Sequence, residues 1–451
     1  MPPPPRRPRK PARPPDPRPD ARGGALALLR AVLQGGQTLA EARAAPGTGF
    51  AALDPPGQAR ALRLALATLR HLDRADAVLA PYLRKAPPAP VRAILRLAVT
   101  ERMVFDAPAH AVVNAAVALA RASRKGAALA GLVNAVLRKA VETPRADWQA
   151  LPPQRLPGWL RAPLVAAWGA EAVAAMEAAH MQGAALDLTL RDPADAAHWA
   201  QALGAEVLPT GSLRLRDGAP GAVSALPGYD AGAWWVQDAA AALPARLLDA
   251  RAGERVLDLC AAPGGKTLQL AAAGAAVTAL DVSEARMTRL RANLQRTGLT
   301  AQVVVADALD WRPEAPFDAV LLDAPCSASG TIRRHPDMPH VRGPEDLEAL
   351  IALQSRLLDR VLDPGAGLLR PGGRVVYCTC SLLPAEGEDQ LAAALTRHTG
   401  VRVEYPALDG ADPVWRARGN GGWRTRPDHW AARGGLDGFF MARLRVGKVE
   451  R

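Results

Sequence analysis

Four cysteines in 451 residues are too few for a disulfide framework. All four, Cys260, Cys326, Cys378 and Cys380, lie in the last two-fifths of the chain, a placement that suits reduced thiols with chemical work to do. It does not suit zinc. Only Cys378 and Cys380 are close, at C-x-C spacing without the C-x-x-C pairs of a structural site, so no metal is expected. No run of about 18 uncharged apolar residues occurs, so no membrane span is expected. The opening stretch "MPPPPRRPRKPARPPDPRPDARGG" lacks the apolar core of a secretory signal, which makes the cytoplasm the expected compartment. Net positive charge is also missing from most of the chain. Residues 1–24 carry seven basic and two acidic side chains (+5), residues 25–144 sixteen and seven (+9), and the remainder thirty-three and thirty-five (−2). A basic first third is the electrostatic footprint expected of a phosphate-rich partner, or simply a solvated surface.

What is present divides into four parts, at 1–24, 25–144, 145–232 and 233–451. The Pro/Arg tail to Gly24 cannot bury enough to order itself and reads as polyproline-like and disordered. Residues 25–144 read as an all-α helical bundle. In "LAGLVNAVLRKAVE" the apolar Leu129, Leu132, Val133, Val136 and Leu137 fall on one helical face. His110, Asn114, Asn134 and Arg138 punctuate such faces and are read as a structural network rather than a ligand site. Residues 145–232 read as a small α+β module, with a short helix near Glu171–His180 and strands in "LDLTLR" and "SLRLRD".

From residue 233 strands and helices alternate, the pattern of an α/β, Rossmann-like domain with a parallel sheet. Its first turn, "CAAPGGKT", has Cys260 where a phosphate-binding P-loop needs glycine, and it is not G-x-G-x-x-G either. It offers Asp258 at the end of the first strand and a Pro-Gly-Gly turn that lets backbone approach a ligand. Asp281 ends the second strand and Asp307 the third. Three acids at three successive strand ends suit a nucleoside carrying a cationic group: Asp281 for ribose hydroxyls, Asp307 for an adenine amino group, Asp258 for an ammonium. S-adenosylmethionine has all three.

The next two strands end in "LLDAPCS" and "YCTCS", bringing Asp323, Cys326 and Cys380 toward the same edge. Carbon 5 of a pyrimidine is too electron-poor to attack a methyl donor. A thiolate adding at carbon 6 makes it nucleophilic, and an acid near ring N3, such as Asp323, stabilises the adduct. Cys260 and Cys378 are read as small buried hydrophobes, Cys378 with its side chain on the opposite strand face from Cys380.

At these residues the chain resembles the bacterial Sun/Fmu-type rRNA cytosine-C5 methyltransferases. "DLCAAPGGKT", "DAPCSASG", "RRHPD", "TCS" and "DGFFMARL" occur in that family's order, "QDAAAALPARLL" at Gln237–Leu248 resembles the segment entering its catalytic domain, and "AHAVVNAAVALAR" with "GLVNAVLRKA" resembles the RNA-binding domain related to the antitermination factor NusB. The resemblance implies that Cys380 is the nucleophile and Cys326 the release assistant, the reverse of the DNA cytosine methyltransferases, with Lys266 and Asp323 lining the pocket. It also implies a donor site of Asp258, Cys260, Ala261, Ala262, Pro263, Gly264, Gly265, Lys266, Asp281, Arg286, Asp307 and Asp323. The implied partner is small-subunit ribosomal RNA, bound by a monomer without metal or membrane. Cys378 stands where relatives often have serine, and the tail lies outside the family pattern. An amino-methylating enzyme would show an Asp/Asn-Pro-Pro-aromatic motif at "DAPCS"; a non-enzymatic antitermination protein would leave acids and thiols idle; a tRNA substrate is the remaining alternative.

Overall fold

The computed structural model describes residues 20–123, 125–216, 218, 221–417, 419 and 421–447. The tail expected to be disordered lies outside the described residues up to position 19. Its last residues do not belong to a tail, because the helix Ala21–Gly35 starts there, its N-cap Asp20 accepting from the Gly23 N–H at 2.7 Å. The chain divides into two units, one holding the residues up to Leu69 and Ala75–Ala150, the other Arg70–Arg74 and Leu151–Arg451.

The first unit is helical, and its centre is Ala89–Phe105, on which Val91, Ile94, Leu95, Leu97, Ala98 and Val99 are all buried. A helix buried almost all round belongs in the middle of a bundle. Its one buried carboxylate, Glu101, is held by Arg22 at 2.7 Å and Arg60 at 3.3 Å. In Ala130–Ala140 the buried stripe is Ala130, Val133, Val136, Leu137 and Ala140, while Leu132, expected on it, is 38% exposed. Of the residues expected to form a structural network, His110, Asn114 and Arg138 are exposed instead and Asn134 is half-buried.

In the second unit the helices Gly158–Trp168 and Ala170–Gln182 precede a small sheet. Its strands β1 (Leu186–Leu190), β2 (Glu206–Val207), β3 (Leu213–Leu215) and β4 (Trp234–Val236) run in the order β2-β3-β1-β4. The small module therefore extends past residue 232: β4 pairs antiparallel with β1, Leu188 opposite Val236. Then come β5 (Arg255–Leu259), β6 (Ala276–Asp281), β7 (Gln302–Val305), β8 (Phe317–Asp323), β9 (Leu369–Thr379), β10 (Val401–Glu404), β11 (Trp423–Thr425) and β12 (Phe439–Val446). The order is β10-β12-β9-β8-β5-β6-β7, parallel from β9 to β7, with β12 inserted antiparallel beside β9. The α/β reading of this domain holds. The apolar runs of β5 and β8 are buried on both faces because helices cover both. Strand order reverses direction at β5, and in such sheets ligands bind at that switch point, outside the carboxyl ends of the strands.

Several motif residues turn out to be framework. Arg333 of "RRHPD" is fully buried and donates to Asp238 at 2.8 Å and to Asp437 at 3.0 Å, while Arg334 donates to Asp437 at 2.7 Å. Three segments far apart in sequence, "QDAAA", "RRHPD" and "DGFF", are thus joined by one buried ion network. The charges of Arg333 and Arg334 outweigh burial and hold Asp238 down at about 2. A second buried pair, Arg214 with Asp187, is bidentate at 2.6 Å on both arms and anchors the small sheet, Asp187 also accepting from the Ala239 N–H.

Candidate active site

The turn after β5 is built around backbone that side chains would obstruct. Cys260 has a left-handed φ of 60°, and Gly264 has φ 104°; a Cβ on Gly264 would meet Leu290 Cγ at 2.8 Å. Leading off this turn, the helix Gly265–Ala272 places Thr267 against Asp258, whose Oδ2 accepts from Thr267 Oγ1 at 2.6 Å. Asp258 is completely buried and its other oxygen, Oδ1, has no hydrogen-bond partner. Burial pushes its carboxyl up to about 7, the neighbouring carboxylates adding to the rise and Thr267 and Lys266 opposing it.

Asp281 ends β6, also buried. Its Oδ2 accepts from the Ala262 N–H at 3.2 Å and its Oδ1 from the Ser283 N–H at 2.9 Å. It thereby holds the Ala-Pro-Gly-Gly turn to the start of the next helix. Arg286 reinforces the same turn: it donates to the Ala262 carbonyl and lies 3.5 Å from Asp281, with half its side chain exposed. Asp307 stands apart from the other acids. It lies two residues beyond the end of β7, is exposed, and caps its own turn by accepting from the Leu309 N–H at 2.9 Å.

On the other side of β5, Asp323 ends β8 and is the direct register partner of Cys378 on β9. Lys266 Nζ donates to Asp323 Oδ2 at 2.7 Å and sits 5.2 Å from the centroid of the Phe439 ring. Cys378 Sγ donates to Asp323 Oδ1 at 3.4 Å. The expectation that Cys378 faces away from Cys380 is overturned: side chains two apart along a strand share a face, and Cys378 and Cys380 pack against the same cluster containing Val376 and Met441. Burial and Asp323 together push the Cys378 thiol well above its ordinary value. Burial works against the Lys266 charge, but Asp323 and the surrounding acids raise its affinity for the proton overall.

Cys326 and Cys380 lie just past the ends of β8 and β9, with their sulfurs 3.4 Å apart. The Cys326 thiol is pushed well above its ordinary value by that contact and by burial. Cys260 is half-buried, packed against the core, its thiol likewise raised by burial and nearby acids. Of the residues expected at the site, the sheet brings Asp258, Asp281, Lys266, Asp323, Cys326 and Cys380 to one edge, and leaves Asp307 at its exposed end. A cavity of about 670 Å³ between the small sheet and the main domain is lined by Thr189, Arg246 and Arg443 and by none of these residues.

The arrangement can hold a cation beside a buried acid and present paired thiols to a planar base beside an acid. Known proteins carry the same plan. The model of the 16S rRNA methyltransferase RsmB/F family matches residues 245–445 and that of the NusB family residues 19–142. The ribosomal RNA small subunit methyltransferase B of Pseudomonas syringae pv. tomato is 37% identical over 84% of this chain and 87% of its own length. The chain belongs to the 16S rRNA methyltransferase RsmB/F family. The corresponding enzyme of Xanthomonas campestris pv. campestris is 38% identical over 85% of this chain and 89% of its own. Among solved structures, a methyltransferase homologue from Pyrococcus horikoshii is 27% identical, with a TM-score of 0.51, over 63% of this chain and 93% of that one. The crystal structure of the protein PH0851, 24% identical, shares the fold with a TM-score of 0.70 over 94% and 98%. As an RsmB/F member the chain is an RNA methyltransferase. A helix long and apolar enough to cross a membrane is absent among the described residues.

Residues that no motif announced also reach the site. Glu386, Gln354 and the serines that follow each cysteine form a hydrogen-bonded cluster beneath the thiols. The only trace of it in the sequence is that both "PCS" and "TCS" put serine after cysteine.

Proposed function

We propose that this RNA methyltransferase methylates carbon 5 of a cytosine in small-subunit ribosomal RNA, with S-adenosylmethionine as donor and a covalent adduct between Cys380 and carbon 6. The observation that carries the proposal is the 3.4 Å approach of Cys326 and Cys380 sulfurs beside the Lys266-paired Asp323. A base-attacking thiol needs to be the thiolate, and a sulfur within hydrogen-bond distance that can donate to it favours that state. Cys326 lies at that distance.

The residues around β5 and β6 fit the donor: a buried Asp258 oxygen without a partner, a glycine turn that a Cβ would fill, and the carboxylate of Asp281. When bound, the donor supplies a methyl group made electrophilic by a sulfonium. Asp258 would face its cationic portion and Asp281 its ribose; Cys260, Ala261, Ala262, Pro263 and Gly265 would supply the surrounding turn, with Arg286 and Asp307 at the exposed end. The chain's own residues do the rest. Cys380 adds to carbon 6 as the thiolate, and the electron pair displaced into the ring takes up a proton at N3, delivered by Asp323 acting as the acid. With the methyl group on carbon 5, a general base takes that carbon's proton, the freed electron pair restores the 5,6 double bond and expels Cys380 as the thiolate, and N3 returns its proton to Asp323. Cys326 assists that release.

Replacing each thiol separates the steps. Cys380→Ala is expected to abolish activity and leave no RNA attached on a denaturing gel, whereas Cys326→Ala is expected to attack and methylate, then stall as a protein–RNA adduct. Adduct accumulating in Cys380→Ala instead would exchange the two roles. Bisulfite sequencing of small-subunit rRNA and tRNA from a deletion strain identifies the RNA class, and a missing methylcytosine confined to tRNA would overturn the rRNA assignment.

A further inference from the structure

Beneath the two thiols lies a carboxylate with no cation on it. Glu386 is fully buried, in the short turn Pro384–Glu386 that follows β9, and none of the described lysines or arginines forms an ion pair with it. An unpaired buried carboxylate is costly, so its partners are informative. Oε1 accepts from the Ser327 N–H at 2.8 Å and from Gln354 Nε2 at 3.0 Å; Oε2 accepts from the hydroxyls of Ser327 and Ser381, both at 2.5 Å. Four donors fill the acceptor capacity of an ionised carboxylate. Ser327 directly follows Cys326, and Ser381 directly follows Cys380.

We propose that Glu386 is the positioning residue of this active site: one carboxylate, gripping the serine after each cysteine, sets the separation and direction of both thiols. It rests on the assignment of Cys380 and Cys326 made above. The two cysteines lie on loops after different strands, 54 positions apart in sequence, and both are free thiols. An acceptor-only group is what fixes their distance. Both hydroxyl protons must point at Oε2, which leaves the Ser381 oxygen free to accept from the Leu383 N–H at 3.0 Å. Both loops are tied to the same point in other ways: Gln354 Nε2 also donates to the Pro325 carbonyl at 2.8 Å, and the Glu386 carbonyl accepts from Tyr377 and Thr379 of β9 at 2.8 and 3.1 Å. The carboxylate also contributes to holding the Cys326 thiol protonated.

An amide of the same shape would present N–H groups where hydroxyl protons now point. Glu386→Gln in the full chain is therefore expected to lower kcat about 10- to 100-fold, the usual consequence of displacing a reacting group by a fraction of an ångström to an ångström. KM for RNA and donor affinity should stay within about threefold of wild type, because the phosphate contacts and the donor turn lie elsewhere. In a Cys326→Ala background, where release is blocked, adding Glu386→Gln should slow the appearance of the protein–RNA adduct by the same factor. Glu386→Asp, which keeps the charge, should recover part of the lost rate. Ser381→Ala, a smaller change that tests the same link if Glu386→Gln folds poorly, should lower kcat several-fold and not add to the Glu386→Gln loss. The proposal is overturned if kcat per folded molecule is unchanged in Glu386→Gln and in Ser381→Ala. If Cys380→Ala is inactive in that case, the thiol assignment survives; if Cys380→Ala is active, the assignment falls and the proposal with it.

Discussion

The two sides of the β5 switch point meet the same demand, burying carboxylates, in opposite ways. On the thiol side Glu386 is buried with all its acceptor capacity filled by protein donors. On the donor side Asp258 is equally buried, yet one of its oxygens has no partner and burial pushes its carboxyl up to about 7. A satisfied carboxylate rigidifies what surrounds it, and an unsatisfied one is held ready for a ligand. The difference separates a region that must be in place before substrate arrives from one that substrate completes.

That contrast is broken most directly at Asp281. Its two oxygens hold the Ala262 and Ser283 N–H groups, so Asp281→Ala removes the hydrogen bonds proposed for the ribose and also loosens the glycine turn. Each charge-assisted bond is worth about 1.5–3 kcal/mol, and donor binding measured by calorimetry is expected to weaken tenfold or more. The adduct-forming side should be untouched, so thiol alkylation rates should match wild type. Unchanged donor affinity would refute the role given to Asp281.

Most of what positions the site could be read in the sequence wherever a strand ended in a residue that also carried chemistry. The runs "RVLDLC", "AVTALD" and "FDAVLLDAP" carry Asp258, Asp281 and Asp323 at or next to the strand end, and they stand out because a buried parallel strand is otherwise continuous in apolar residues. Glu386 had no such signal: its role depends on two loops meeting, and hydrogen bonds between distant segments leave no local periodicity. The same is true of Arg333, Asp238 and Asp437, conspicuous only as charges inside motifs. Asp307 is the least distinctive of these signals for a local reason. A strand-end aspartate also caps turns, and its carboxylate does so here. The boundary expected at 232 falls just short of Trp234–Val236, which pair with β1, because so short a strand shows its sheet only through its partner.

A pH series sharpens the contrast at Asp258. In the free enzyme the carboxyl is protonated below about 7, whereas its ordinary value is 3.8. A raised carboxyl makes the free protein more stable when the group is protonated, and that advantage is lost as pH rises from about 4 to about 7. A cation bound beside it favours the ionised form, so donor binding below pH about 7 must release this proton. Donor affinity is therefore expected to rise by up to about tenfold per pH unit below 7 and to level off above it, with proton release detected by calorimetry in buffers of different ionisation enthalpy. Asp258→Asn should bind more weakly and lose the slope. A slope that persists in Asp258→Asn would assign the proton to another group.

The smallest expected effect lies outside both halves of the cleft, and it tests whether either half is responsible for holding RNA. Beyond residue 144 the chain carries thirty-three basic and thirty-five acidic side chains, whereas residues 25–144 carry sixteen and seven. Within the helical unit Arg121, Arg138 and Lys139 are exposed, and such side chains can release counterions from a phosphate backbone. Each contact so made contributes roughly 0.7–0.9 to the slope of log affinity against log salt. Arg138→Ala combined with Lys139→Ala is thus expected to weaken RNA binding modestly at low salt and to flatten that slope by about one to two units, with kcat at saturating RNA unchanged. Filter binding across a salt series reads this directly. An unchanged slope would make these charges ordinary solvated surface, and would throw the burden of RNA affinity back onto the cleft, where Lys266 is already committed to Asp323.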